Sequence, residues 1–460
     1  MDVEKLKGMA GASGASDWAI ATEEGRTASF NIIPYTYFPG TEPRETLRPK
    51  EVMKGVVESQ ELTLFDRHGG KMGSSAKELT GRSEDYLREA IAELLQGARS
   101  QDNPPFELLE AGLSYDDVEI TDPEIVSRDL AGLDTAVGTL KERMLAAAKD
   151  ERVRLSNVEV YIRDARAGLL TSRGVSLSEP STRVEVEFCV LNEYHGTTGE
   201  HTATLRGRKL AQIDTELVRR YAVYAREACW AEKPKDHEGP VVLTGDALID
   251  FFAPQSVFGA TPFTQHLGGE NVYSGSSIFE LGKPVCERFD GERITLISDP
   301  GMPFGLLSSA FSMEDGVPMR AVTLIDDGFV TGFLTSKQIY DYLGPAKRGP
   351  QHPTGPMANT RIACGRLPEK ELMLSDGKPV YVVRAFSAFA PDVHSGAMKC
   401  EIRSGEVIHG RERYPIRGGL LIGNYFEALE NAHFSSDPIT SGSYVGPSAV
   451  RFERLKVSGD

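Results

Sequence analysis

The 460-residue sequence has only five cysteines, and none of its apolar runs is long enough to cross a membrane. A membrane helix needs roughly 18 or more apolar residues in succession. The longest runs here, such as Val380–Val383 or Leu420–Ile422, have the length of strands. The opening segment MDVEKLKGMAGASGASDW has no apolar core of the secretory type, so a cytoplasmic protein is expected. The cysteines (Cys189, Cys229, Cys286, Cys364 and Cys400) are odd in number and widely spaced, which fits reduced thiols better than a disulfide framework. A basic excess is also missing. The formal charge is −16 and the pI about 5.2, so the chain repels phosphate backbones and nucleic acid is not an expected partner. The densest basic cluster, Arg206-Gly207-Arg208-Lys209 with Arg219-Arg220 nearby, reads as a solvated face.

Catalytic signatures are missing as well. The sole His-Glu pair, His237-Glu238, is followed by Gly239 and Pro240, which break a helix, and no second histidine comes one turn later. There is no Cys-x-x-Cys, no Gly-x-Ser-x-Gly elbow and no phosphate-binding glycine loop. Gly69-Gly70-Lys71-Met72-Gly73-Ser74-Ser75 has the wrong spacing for phosphate and reads as a turn between strands. Cys364, His394, Cys400, His409 and His433 form a loose set in the second half that could in principle hold a metal. The acid pairs Glu314-Asp315 and Asp326-Asp327 fall in expected turns, where Asp before Gly has a conformational reason to occur.

What is present divides the chain in two. Ser83 with Glu84 and Asp85 predicts a capped helix whose Leu87, Ile91, Leu94, Leu95 and Ala98 share one face. Asp122-Pro123-Glu124 predicts another, running through Ile125, Leu130, Leu133, Val137, Leu140 and Met144. A third is predicted from Asp214 to Trp230. Alternation at Val158, Val160 and Ile162, and at Val184, Val186, Phe188 and Val190, predicts strands. The polar stretch 231–239 reads as a linker between an N-terminal domain (1–230) and a C-terminal one (240–460). In the second half Asp-Gly pairs at 290, 315, 327 and 376, with Ser404-Gly405, suggest hairpins, and short helices are expected near Asp246–Phe252, Lys337–Tyr342 and Tyr425–Ala432. The expected fold class is α+β: an N-terminal α/β domain of a sheet with packed helices, then a mainly antiparallel, barrel-like β domain.

Several segments of the second half, in this order and spacing, resemble the TldD/PmbA family. They are Ser277–Val285, Ile294–Pro300, Phe311–Pro318, Pro353–Arg361, Gly405–Ile408, Tyr414–Gly419, Ile422–Asn424 and the terminal Leu455–Gly459. In the first half Gly73-Ser74-Ser75 and Thr171–Val175 are compatible. TldD-like members of that family are zinc peptidases, with a His-Glu-x-x-x-His helix early in the C-terminal domain and a cysteine ligand near its end. Here Val241–Phe252 and Ile439–Ser448 stand at those places, without the histidines or the cysteine.

The resemblance therefore implies the PmbA (TldE) branch: a subunit with no catalytic, metal or cofactor residues of its own, paired with a TldD-like metallopeptidase subunit that holds the zinc and acting on unfolded peptide. Asp392, His394 and Gly396 match a family loop and are the candidate peptide or partner contacts. A homodimer remains open, as do a peptidase using an unrecognised site such as Cys364 with Cys400, and a modulator of another protein.

Overall fold

The computed structural model describes residues 3–33, 48–253, 261–389 and 391–459. The first half is built on one six-stranded antiparallel sheet. Its strands are β1 (Asp17–Ile33), β2 (Arg48–His68), β3 (Lys71–Glu78), β4 (Arg154–Thr171), β5 (Ser176–Tyr194) and β6 (Thr197–Gly207), in the order β3-β2-β1-β4-β5-β6. Five helices accompany it: α1 (Val3–Gly11), α2 (Glu84–Arg99), α3 (Pro123–Val126), α4 (Leu130–Asp150) and α5 (Glu216–Glu227). The alternation read in β4 and β5 places Val158, Val160, Ile162, Val184, Val186, Phe188 and Val190 in one core with α4 and α5. A smaller core joins α1 and α2 to Ile20, Leu62 and Leu64. Gly69 and Gly70 take positive φ in the β2–β3 turn, which is the turn reading of that segment.

Helix α2 starts where expected, with the Ser83 hydroxyl accepting from the Tyr86 amide and Leu87, Ala90, Ile91, Leu94 and Ala98 buried. The second predicted helix is instead two. Asp122 caps only the short α3, accepting from the Glu124 amide at 3.0 Å, and the chain leaves the helical path at Ser127. Asp129 then caps α4, accepting from the Gly132 amide at 2.8 Å. Short polar side chains that bond their own backbone compete with helix continuation, and apolar spacing alone does not register this.

The second half has β7 (His237–Thr244), α6 (Gly245–Phe252), α7 (Pro262–Leu267), α8 (Gly269–Ser274), β8 (Leu296–Asp299), β9 (Val322–Asp326), β10 (Phe329–Val330), α9 (Lys337–Leu343), α10 (Pro345–Arg348), β11 (Asn359–Ile362), α11 (Glu369–Leu372), β12 (Val380–Ala388), β13 (Ala397–His409), β14 (Glu412–Ile416), β15 (Leu420–Asn424), α12 (Tyr425–Leu429), β16 (Ala432–Phe434), β17 (Pro438–Ser441), β18 (Tyr444–Pro447) and β19 (Ala449–Ser458). Strands β12-β7-β19-β15-β13 run in that order, and β12 also pairs with β13, closing a barrel. A second sheet has the order β10-β9-β8-β11-β18-β17. The shared core includes Phe251 stacked on Tyr425, ring centroids 4.1 Å apart, with the tyrosine hydroxyl donating to the Phe251 carbonyl at 2.7 Å. His237–Gly239, the end of the stretch read as a linker, lie in β7 and pair with β19.

Of the Asp-Gly pairs, only Asp327-Gly328 forms a two-residue hairpin, between β9 and β10, both residues having positive φ. Ser404-Gly405 sits within β13, where the register against β12 shifts. The other hairpins turn at different sequences, such as Gly410-Arg411 between β13 and β14.

The two halves meet through an apolar cluster, Phe106 and Leu169 with Phe311, and through charged and polar groups. Arg208, expected on a solvated face, is mostly enclosed: its Nε donates to the Gly305 carbonyl and its Nη2 to those of Leu306 and Ser308, each at 2.9 Å. Burial holds its pKa down at about 10. Carbonyl oxygens substitute for water around the guanidinium, so the residue is not a solvated charge. Its neighbours are engaged too, Arg206 with Glu185 and Lys209 over the Phe304 ring at 4.0 Å. Glu179 accepts from the Ala310 amide at 2.6 Å and the Ser309 hydroxyl at 2.7 Å. Arg384 of β12 pairs with Glu227 of α5 at 2.6 Å and Glu406 of β13 at 2.8 Å.

Candidate functional site

Two elements occupy the places at which the family resemblance puts zinc ligands. At the first, α6 presents Asp246, which accepts from the Tyr221 hydroxyl at 3.1–3.2 Å and lies 4.0 Å from the buried His201 Nε2. His201 stacks on Tyr221 with ring centroids 4.9 Å apart. Burial lowers the His201 pKa, the nearby Asp246 opposing it, while burial and Asp246 both raise Tyr221. The group ties α6 to α5 and β6, and Asp246 has no histidine on its own helix to share a metal with.

At the second, the β17–β18 hairpin turns at Gly442-Ser443, and the Tyr444 hydroxyl donates to the Pro447 carbonyl at 3.0 Å. No group of three or more His, Cys, Asp or Glu converges as a metal site among the described residues. The loose Cys/His set is not assembled: Cys400 is sealed inside the barrel, while Cys364 is exposed after β11. Burial raises the Cys364 thiol, and the neighbouring Asp437 adds to this, which works against a reactive thiolate.

The loop holding Asp392, His394 and Gly396 enters β13. The Asp392 carboxylate accepts from the His394 and Ser395 amides at 3.0 and 2.9 Å, bonds that lower its pKa. The His394 carbonyl meets His266 Nε2 at 2.9 Å, and His266 Nδ1 accepts from the Ile278 amide at 3.2 Å. The ring is thus held as one neutral tautomer, and burial lowers its pKa. Gly396 has φ 74°, and a Cβ there would lie 2.7 Å from the Phe426 ring. The backbone of the loop is therefore engaged within the fold, while the His394 side chain is exposed.

His266 belongs to α7, and the same helix borders a cleft of about 330 Å³. The cleft is lined by Glu270 of α8, Glu314, Leu334, Ile339 of α9, Gly355 and Met357 among others. Sequence spacing treated Glu314 and Asp315 alike as turn residues, but the structure separates them. Asp315 is structural: its Oδ2 accepts from the Lys337 amide at 2.6 Å, at the start of α9. Glu314 instead faces the cleft. The residue is exposed by surface area, yet the protein around its carboxyl in the cleft raises its pKa by desolvation, and the charges of Asp315 and Glu270 add to the rise. Nothing in the spacing singled out Glu270.

Residues 240–459 match the PmbA/TldA metallopeptidase C-terminal domain. The second half of the chain is therefore similar to the PmbA/TldD family. Among PmbA/TldD-like folds, TldE from Thermococcus kodakarensis superposes with a TM-score of 0.75 at 16% identity, covering 99% of each chain. A Thermotoga maritima protein described as a candidate modulator of a DNA gyrase superposes with a TM-score of 0.77 at 17% identity, again over 99% of each chain. An uncharacterised protein of Methanocaldococcus jannaschii is 24% identical over 294 residues, which span 62% of this chain and 65% of that relative's length. The cleft lies within this matched half and is bordered by two of the segments that carry the sequence resemblance, 311–318 and 353–361. No helix among the described residues is long and apolar enough to cross a membrane.

Proposed function

We propose that this chain is the non-catalytic, TldE-like subunit of a zinc metallopeptidase complex of the TldD/TldE type, acting on unfolded peptides. The observation that carries the reading is the donor set at α6 and the β17–β18 hairpin. Asp246 is engaged by Tyr221, and the hairpin offers Ser441 and Ser443 where a thiolate ligand would be expected. Serine hydroxyls and a lone carboxylate are poor substitutes for the His, Cys and carboxylate ligands of zinc. The full-length likeness to TldE supports the same branch.

In this reading the metal belongs to a TldD-like partner. This subunit walls a chamber around the partner's zinc and admits extended peptide, which main-chain hydrogen bonds can hold as an added strand. Asp392, His394 and Gly396 form the candidate contact loop, with the exposed His394 ring as its reactive surface.

The test is to mix the purified chain with a zinc-bearing relative. Light scattering after size exclusion should give a one-to-one complex that cleaves an unfolded peptide, while this chain alone cleaves nothing. Hydrolysis by the chain alone, or no complex with any zinc-bearing relative, would sink the proposal. A second reading, a modulator of another protein, has the description of the Thermotoga maritima relative in its favour. It predicts a non-peptidase partner.

A further inference from the structure

The cleft beside α7 is amphipathic in a specific way. Glu270 and Glu314 supply two carboxylates close enough to affect each other, and no Lys or Arg pairs with either among the described residues. Two more enclosed acids of this half are paired, Glu406 with Arg384 and Glu430 with Arg288. The same cleft is lined by the apolar side chains of Leu334, Ile339 and Met357. An aromatic pair adjoins it: Tyr273 and Tyr342 have ring centroids 5.2 Å apart, and Tyr273 is 47% exposed. Tyr273 lies three residues after Glu270 on α8, and Tyr342 three after Ile339 on α9, so each ring shares its helix face with a cleft residue.

We propose that this cleft takes the side chain of a lysine or arginine from an extended peptide. The aliphatic stem lies on Leu334, Ile339 and Met357, and the cationic head lies between Glu270 and Glu314. The assignment rests on the peptide-handling function proposed above. The chemistry is that of a long side chain with an apolar stem and a charged end, which buries the one and keeps the other paired. The exposed Tyr273 ring can add cation–π contact. A free peptide amino terminus carries the charge without the stem and leaves the apolar wall uncovered. Burial first, and then the charges of Asp315 and Glu270, raise Glu314, and an arriving cation offsets the charge contribution.

The experiment uses the full chain, without any partner, and fluorescent decapeptides of neutral polar residues, acetylated and amidated at their ends. One carries a central lysine, one an arginine and one a norleucine. Fluorescence anisotropy should show the lysine and arginine peptides binding about tenfold tighter than the norleucine peptide, as a charge-assisted contact provides. The preference should vanish in the Glu270→Gln, Glu314→Gln double variant, whose unchanged urea midpoint would show that it folds. Equal binding of lysine and norleucine peptides would overturn the proposal, as would a preference that survives in the variant. So would tight binding of a norleucine peptide with a free amino terminus. Lysine selectivity without any zinc-bearing partner complex would remove the proposed function alone. A complex without selectivity would remove only this inference.

Discussion

Arg208 donates from Nε to the Gly305 carbonyl at 2.9 Å, and this bond crosses from just past the edge strand β6 of the first sheet to a loop of the second half. The loop is held on its other side by Asn359, whose Nδ2 donates to the Asp299 carbonyl at 2.8 Å and whose Oδ1 accepts from the Leu307 amide at 3.0 Å. Asn359 begins β11, just after the Gly355–Met357 wall of the cleft. The N-terminal sheet thus sets the position of the cleft through a short chain of hydrogen bonds.

Replacing Arg208 by methionine keeps the stem but takes this donor from the Leu306 and Ser308 carbonyls, while the Gly305 carbonyl keeps the Ser308 amide. Unsatisfied buried acceptors cost about 1–3 kcal/mol each, partly recovered where water enters, so a net loss of about 2–4 kcal/mol is expected. Urea unfolding measures it, and amide exchange at residues 305–308 should quicken. An unchanged midpoint would mean that the guanidinium does not hold the junction.

His201 gives the pH dependence a sign. Burial lowers its native pKa below the ordinary value of 6.5, so the unfolded chain binds the proton more readily than the native one. The stability this provides is complete above that unfolded value and is lost as pH falls through the native one. The melting temperature should therefore fall as pH drops from 7 to 5. In His201→Phe, which keeps an aromatic ring against Tyr221, the fall should be shallower. The remainder comes from His237 and His266, also lowered by burial. An identical slope in the variant would exclude His201 as a source.

Gly396 is required by conformation and by space. An alanine there must hold a left-handed backbone and place its Cβ 2.7 Å from the Phe426 ring. A loss of about 1–3 kcal/mol is expected from Gly396→Ala, read by thermal or urea unfolding. A neutral result would show that the loop before β13 can reorganise freely.

Phe251 anchors the barrel core through its stacking on Tyr425. Phe251→Ala should cost about 3–5 kcal/mol by lost burial and the cavity it leaves. Tyr425→Phe, which keeps the stacked ring and removes the hydroxyl with its bonds to the Phe251 carbonyl and the Thr261 side chain, should cost about 1–2 kcal/mol. If both variants cost the same, the stacking would not be the main contribution.

Local signals in the sequence carried much of this architecture. The Ser83 cap, the alternation in β4 and β5, and the short helices at Asp246–Phe252 and Lys337–Tyr342 are nearest-neighbour chemistry and came through directly. The break between α3 and α4 depends on side chains turning back on their own backbone, which apolar spacing does not encode. Most Asp-Gly pairs misled because the dipeptide permits a hairpin without requiring one, and at Asp315 the carboxylate caps α9 instead. Arg208 and Glu270 were illegible for another reason. Arg208 meets Leu306, 98 residues away in the chain, and Glu270 lies near Glu314, well outside its own helix, and no local pattern reports such meetings.

The central claim is that this chain carries no zinc of its own. Elemental analysis of the protein purified without any relative measures it directly, as zinc per chain after dialysis. The account predicts essentially none. Near-stoichiometric zinc that survives dialysis would contradict it, and would make this chain a candidate peptidase in its own right.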